Sequence, residues 1–249
     1  RKHFGKEISK MEMFSIIAGT VGPVLGGLII TLFGYSVLFL GAVGLIILSI
    51  IILTRSHEKE YFPHITAEQI IDEIPKHKRD FITFIGTGGV ETVYTFIWPI
   101  YLYLLIKSFL EIGAIFTGIA VVTFVCLYFL SKMIDNTSKA KIERFGSGIV
   151  SLTWFGKAVF QNSPLIFVFD AIFRVFFYTF FIIPLISIAY SHAAKEHKVR
   201  YVLFREVGYR IGDLISLGIF IFFVWVNIPI WMIFIVAAIF SLLPIVEKE

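Results

Sequence analysis

Eight apolar runs, at residues 13–34, 35–54, 81–106, 110–130, 145–161, 164–190, 211–227 and 229–246, take up most of the 249 residues. A hydrocarbon layer about 30 Å thick needs about 20 helical residues at 1.5 Å each, so the runs read as membrane spans. Two are weaker than the rest: 145–161 is short and holds Lys157, and 211–227 begins beside Asp213. Within hydrocarbon every backbone N–H and C=O must be satisfied inside its own segment. The expected fold class is therefore all-α, a polytopic membrane protein with the lipid bilayer as its first partner. Composition agrees, because 57% hydrophobic and 16% charged residues with 28 Phe lie outside soluble usage.

The basic residues give the orientation. If all eight runs span, 19 of the 22 Lys and Arg fall on one side, only Lys107 falls on the other, and Lys157 and Arg174 lie within spans. Dropping any one span would scatter basic residues onto both sides, which is why the two weak runs are kept. Cytoplasmic loops carry the Lys/Arg excess, so both ends of the chain are expected in the cytoplasm, with the protein in the plasma or inner membrane. The same bias accounts for the basic balance without nucleic acid as a partner. Cys126 is the sole cysteine, so no disulfide framework can form. A chain opening on Arg1 and a polar stretch is expected to be a fragment whose beginning is missing.

The stretch Arg55–Asp80 is long and highly charged, and it divides the chain into two helices at 1–54, a cytoplasmic linker at 55–80 and six helices at 81–249. Within it Thr66-Ala67-Glu68-Gln69 before Ile70-Ile71 has the form of a capping box opening a short amphipathic helix. Otherwise the linker reads as a solvated connection. Lys6-Glu7-Ile8-Ser9 and Arg205-Glu206-Val207-Gly208 precede the first and seventh spans alike, the trace expected of parallel repeats in transporters.

One span gathers residues that helices avoid. Ala18, Gly22 and Gly26 are spaced by four and share a face, with Gly19, Pro23 and Gly27 beside them. Small residues let helices approach closely in lipid, and Pro23 is expected to bend the helix. The span 110–130 offers a matching stripe in Ala114 and Gly118. With Ala18 in first place, Gly22, Pro23, Gly26 and Gly27 resemble the Gly-x-x-x-Gly-Pro-x-x-Gly-Gly of the fifth helix of drug/proton antiporters in the major facilitator superfamily. Ser131 to Lys141 falls where that family repeats its cytoplasmic gating-loop motif, and Asp135 and Lys139 match it. The resemblance implies that the chain is helices five to twelve of a twelve-helix fold built from two six-helix bundles. It further implies a secondary carrier working by alternating access.

Ionisable residues at membrane depth are costly and mark function by default. Glu91, Asp170 and Arg174 are such residues. Asp170 and Arg174 share a face that Tyr178 continues, and Glu91, Tyr94, Trp98 and Tyr101 form another. By the resemblance these are the seventh and tenth helices, which line the family's central cavity. Glu91 is then the expected carrier of the coupling proton or substrate charge, with Arg174 tuning it. A static Asp170–Arg174 or Glu91–Arg174 bridge joining two helices is the alternative.

Other features read plainly. Gly86-Thr87-Gly88-Gly89 imitates a phosphate loop but lies within an apolar span, where it is expected to loosen the helix beside Glu91. Lys157 is expected to snorkel to the headgroups. His192 and His197 have the spacing of one histidine box, too few ligands for a di-iron site. Neither metal nor cofactor is expected, and the protein is not expected to be an enzyme. A small-molecule substrate and protons are the expected partners of a monomeric, proton-coupled efflux carrier. A channel, a lipid scramblase or an integral membrane enzyme are the competing readings.

Overall fold

In the computed structural model the described residues are 4–55, 65–134, 139–186 and 198–246, and among them the chain is helical with short turns. Five helices are long and apolar enough to cross a membrane: Val21–Thr54, Lys78–Ile106, Phe109–Cys126, Leu165–Ile186 and Val199–Trp225. The expected spans 13–34 and 35–54 lie in one helical run, α1 (Phe4–Thr54), broken at Gly34. Gly34 has φ 79° and ψ 173°, a conformation open only to glycine. The expected bend at Pro23 is not the break: helical dihedrals run through it, and the interruption falls at the boundary between the two apolar runs.

Two short helices, α2 (Ala67–Ile71) and α3 (Glu73–Lys76), follow. The Thr66 capping box forms in full: Gln69 N donates to Thr66 Oγ1 at 3.4 Å, and Thr66 N donates to Gln69 Oε1 at 3.2 Å. The linker is more than a solvated connection. Glu73 is buried, with Lys76 Nζ at 3.1 Å and Arg200 Nη2 at 2.7 Å, and Tyr201 donates to Asp80 Oδ2 at 2.6 Å.

The remaining helices are α4 (Lys78–Ile106), α5 (Phe109–Ile134), α6 (Lys139–Val159), α7 (Leu165–Ile186), α8 (Lys198–Trp225) and α9 (Ile233–Leu242). The weak run 145–161 is part of α6, whose first turns add Lys141, Glu143 and Arg144. The final run forms a shorter apolar helix, Ile230–Leu242. The chain divides by packing into two units, Arg1–Pro63 with Leu102–Phe124, and His64–Tyr101 with Val125–Glu249.

In the first unit α1 meets the start of α5 through glycine. A Cβ at Gly27 would stand 2.5 Å from the Phe109 carbonyl oxygen, and one at Gly113 would collide with that of Pro23. The partner segment is the one the small-residue stripes suggest, but the contact face is not. A Cβ added at Gly22, Gly26 or Gly118 would meet nothing within 4 Å, and Ala18 and Ala114 are exposed. Tyr35 stands edge-on to Phe109, with ring centroids 5.3 Å apart. From Tyr35 to Thr54 every residue but Leu38 is exposed, a mostly apolar surface suited to hydrocarbon.

In the second unit α4 and α8 pack backbone to backbone. Gly208, Gly212 and Ser216 recur every four residues along α8 and face Phe84, Ile85 and Gly89, while Gly88 of α4 lies against the Tyr209 backbone. Ser216 Oγ donates to the Gly89 carbonyl at 2.9 Å. The other side of the same α4 segment meets the end of the chain: a Cβ at Gly86 would lie 2.6 Å from the Phe240 carbonyl oxygen, and one at Gly89 2.8 Å from its ring. Gly86-Thr87-Gly88-Gly89 is thus a packing segment set between two neighbours, where a side chain would hold both away.

Candidate functional site

The helix does loosen beside Glu91. Residues Val93–Ile97 form a π-helical turn. Pro99 explains it, since its ring has no N–H to bond the preceding turn and crowds the carbonyl four residues back. The wider turn rotates the face of α4, so the expected stripe of Glu91, Tyr94, Trp98 and Tyr101 is split. Glu91 is exposed, while Tyr94 and Trp98 are buried and Tyr101 is half-buried, its hydroxyl donating to the Gln161 carbonyl at 3.1 Å. Tyr94 and Trp98 are therefore helix-packing residues of this unit.

Two charged clusters result. In the first, Glu91 stands one residue before Thr92 on α4, and Glu206, Arg210 and Asp213 stand on the facing helix α8. Thr92, the next residue along α4, donates to Asp213 Oδ1 at 2.6 Å. Arg210 spans two carboxylates, with Nη1 2.5 Å from Asp213 Oδ2 and Nη2 3.7 Å from Glu206 Oε2, and Arg205 Nη2 is 2.8 Å from Glu206 Oε1. The Arg205 guanidinium also lies 5.8 Å from the centre of the Tyr209 ring. Arg210 is 70% exposed, and Asp213 is 14 residues into Val199–Trp225, about 21 Å by helical rise. Glu91 is 13 residues into Lys78–Ile106, about 20 Å. Both carboxylates stand near mid-helix.

The second cluster is closed. Lys157 and Asp170 are each 0% exposed and pair at 2.5 Å between Nζ and Oδ1. The Lys157 ammonium lies 4.1 Å from the centre of the Trp154 ring, 4.2 Å from Trp98 and 4.6 Å from Phe173, with Tyr94 at 5.5 Å. Aromatic faces attract a cation through their quadrupole, so the ammonium is held by four rings and one carboxylate. Asp170 Oδ2, Trp98 Nε1 and Trp154 Nε1 are buried without a hydrogen bond among the described residues. Lys157 does not reach for headgroups as expected; burial among rings and a carboxylate within reach hold it inside.

Asp170 thus has its ion-pair partner on α6, and Arg174 stacks its guanidinium 5.5 Å from the centre of the Tyr94 ring. A π-helical turn, Phe177–Ile182, interrupts the expected stripe before Tyr178, whose side chain lies outside the described residues, as does that of Lys139. Asp135, His192 and His197 also lie outside them.

Reasoning from residue types alone misses Lys157, Arg210 and Asp213 as site residues. For Lys157 a signal exists: the turn 160–164 is too short for anything but antiparallel neighbours, which brings the end of α6 against the start of α7. For Arg210 and Asp213 the signal is hidden when the span is started at 211. The helix begins at Lys198, which moves both residues from a helix end to its middle.

No family model matches the chain, and no solved structure matches it. It is similar to the uncharacterized protein YqgE of Bacillus subtilis, 21% identical over 226 residues, which cover 86% of this chain and 52% of that protein. The chain spans about half the length of that relative.

Proposed function

We propose that the chain is the last eight helices of a twelve-helix carrier of the major facilitator type, moving a small amphipathic or aromatic solute by alternating access with protons as the coupling ion. The observation that carries this reading is the group of Glu91, Arg210 and Asp213 near the middle of two membrane-length helices, the first two exposed and the third half-buried. Ionised side chains at that depth do not face hydrocarbon; they face water or other protein, and an aqueous path to mid-membrane is what a carrier requires. Support comes also from Gly27 of the antiporter-like segment, which sits buried against backbone. Glu91 is the coupling carboxylate in this reading, and the cytoplasmic ends assigned by the basic residues make the membrane the plasma or inner one.

The experiment is uptake of ethidium into inverted vesicles holding the full-length protein under an imposed pH gradient. Uptake driven by the gradient is expected, with Glu91→Gln losing at least tenfold in rate together with its dependence on pH. A Glu91→Gln protein that transports with the pH dependence unchanged removes Glu91 from the coupling role.

A further inference from the structure

The α4–α8 contact that brings Glu91 beside Arg210 and Asp213 is tightly constrained. Backbone meets backbone at Gly88 and Gly212, and Ser216 and Thr92 each tie the two helices by a hydrogen bond. The α8 segment that carries Glu206, Arg210 and Asp213 is thus fixed beside the α4 segment that carries Glu91. The charged groups of that α8 segment are two carboxylates, Asp213 and Glu206, and one guanidinium, Arg210; Arg205 and Tyr209 stand on the same helix with guanidinium against ring, and α6 carries the buried Glu143. Arg210 is shared, since it pairs with Asp213 at 2.5 Å and reaches Glu206 at 3.7 Å.

We infer that Arg210 and Asp213 are positioning residues for proton binding at Glu91: they form with it one charge-coupled unit across α4 and α8, held by the Thr92–Asp213 hydrogen bond and the Arg210–Asp213 pair. This rests on the reading of Glu91 as the coupling carboxylate. The step itself is a proton transfer. Glu91 takes a proton from water to become the neutral acid, and Arg210 stays on Asp213 and Glu206; on release the carboxylate returns and draws on the Arg210 field. Like and unlike charges a few ångströms from a carboxylate change its proton affinity in opposite senses, which gives a signature that structural damage does not produce.

The test is an infrared titration of the purified full-length protein, following the C=O stretch of protonated carboxyl groups as pH is stepped. Each protein is compared with its Glu91→Gln counterpart, so that the difference reports Glu91. With Arg210→Gln the Glu91 midpoint is expected to rise by about one pH unit, and with Asp213→Asn to fall by a similar amount; Arg210→Lys, which keeps the charge, is expected to stay near the parent. Midpoints that shift in the same direction, or not at all, in Arg210→Gln and Asp213→Asn overturn the inference. Should either variant fail to insert, Glu206→Gln carries the same sign as Asp213→Asn, and a midpoint unmoved in Glu206→Gln and Arg210→Lys but also in the surviving variant overturns it equally. Opposite shifts combined with ethidium uptake that ignores Glu91→Gln would leave the charge unit standing and overturn only the transport role.

Discussion

Lys157 and Asp170 show how much one residue's surroundings decide. A lysine near the end of a span has a low-cost way out to the headgroups, but here four rings and a carboxylate enclose the ammonium and leave it 0% exposed. Removing one member leaves an uncompensated buried charge. Asp170→Asn or Lys157→Ala is therefore expected to cost about 3–5 kcal/mol, read as a lower thermal midpoint of the purified protein. Replacing both, as Lys157→Met with Asp170→Leu, is expected to recover most of that loss, because burying an ion pair is repaid poorly in free energy. A double variant as unstable as the singles would show that the two residues do not act as a pair. At the same scale Glu73 is a buried acid in a charged linker, clasped by Lys76 and Arg200. Glu73→Gln is expected to make the chain more quickly cut by trypsin at Lys76 and Lys78, and an unchanged cutting rate there would show that the linker helices do not depend on this clasp.

The elements are positioned by glycine. Where a Cβ would meet a backbone atom the neighbour cannot yield, since backbone, unlike the end of a side chain, has no alternative rotamer. Gly212→Leu and Gly88→Leu are expected to separate α4 from α8 and to destabilise by at least the 1–3 kcal/mol or so of overpacking. Within the first unit Gly27→Leu and Gly113→Leu are expected to do the same to α1 and α5, whereas Gly22→Leu enters open space and is expected to be tolerated. Thermal midpoints of the five variants decide this, and an inverted order, with Gly22→Leu the worst, would return the contact to the Ala18, Gly22 and Gly26 stripe. The π-turn after Glu91 belongs to this scale too: Pro99→Ala is expected to restore regular helix and swing Glu91 relative to Trp98, visible as a changed tryptophan emission.

For the molecule as a whole the distribution of Lys and Arg makes one prediction that the helices alone do not. Reporter fusions placed within 56–64 and after Asn162 are expected on opposite faces of the membrane, the first cytoplasmic and the second outside. Fusions reporting the same face would remove one of the spans between them, with α6 as the first to go because it carries Lys141, Glu143 and Arg144.

Several features are legible from residue types alone because their causes are local. Apolar length marks the helices, since hydrocarbon leaves the backbone no other partner. Thr66 with Gln69 marks a cap, because an i, i+3 hydrogen bond depends on neighbours in the chain, whereas the bend expected at Pro23 falls instead at Gly34. The charges at depth are visible as residues, but not their partners. Lys157 with Asp170, and Arg210 and Asp213 with Glu91, are chosen by which faces of separate helices meet, and those faces are turned by π-helical turns at Val93–Ile97 and Phe177–Ile182 that a 3.6-residue period does not foresee. By itself the sequence determined that the chain is built of apolar helices and which residues are costly in a membrane. Only the tertiary structure decided which charge faces which, because the energy of a buried ion depends on atoms within a few ångströms and those come from helices distant in sequence.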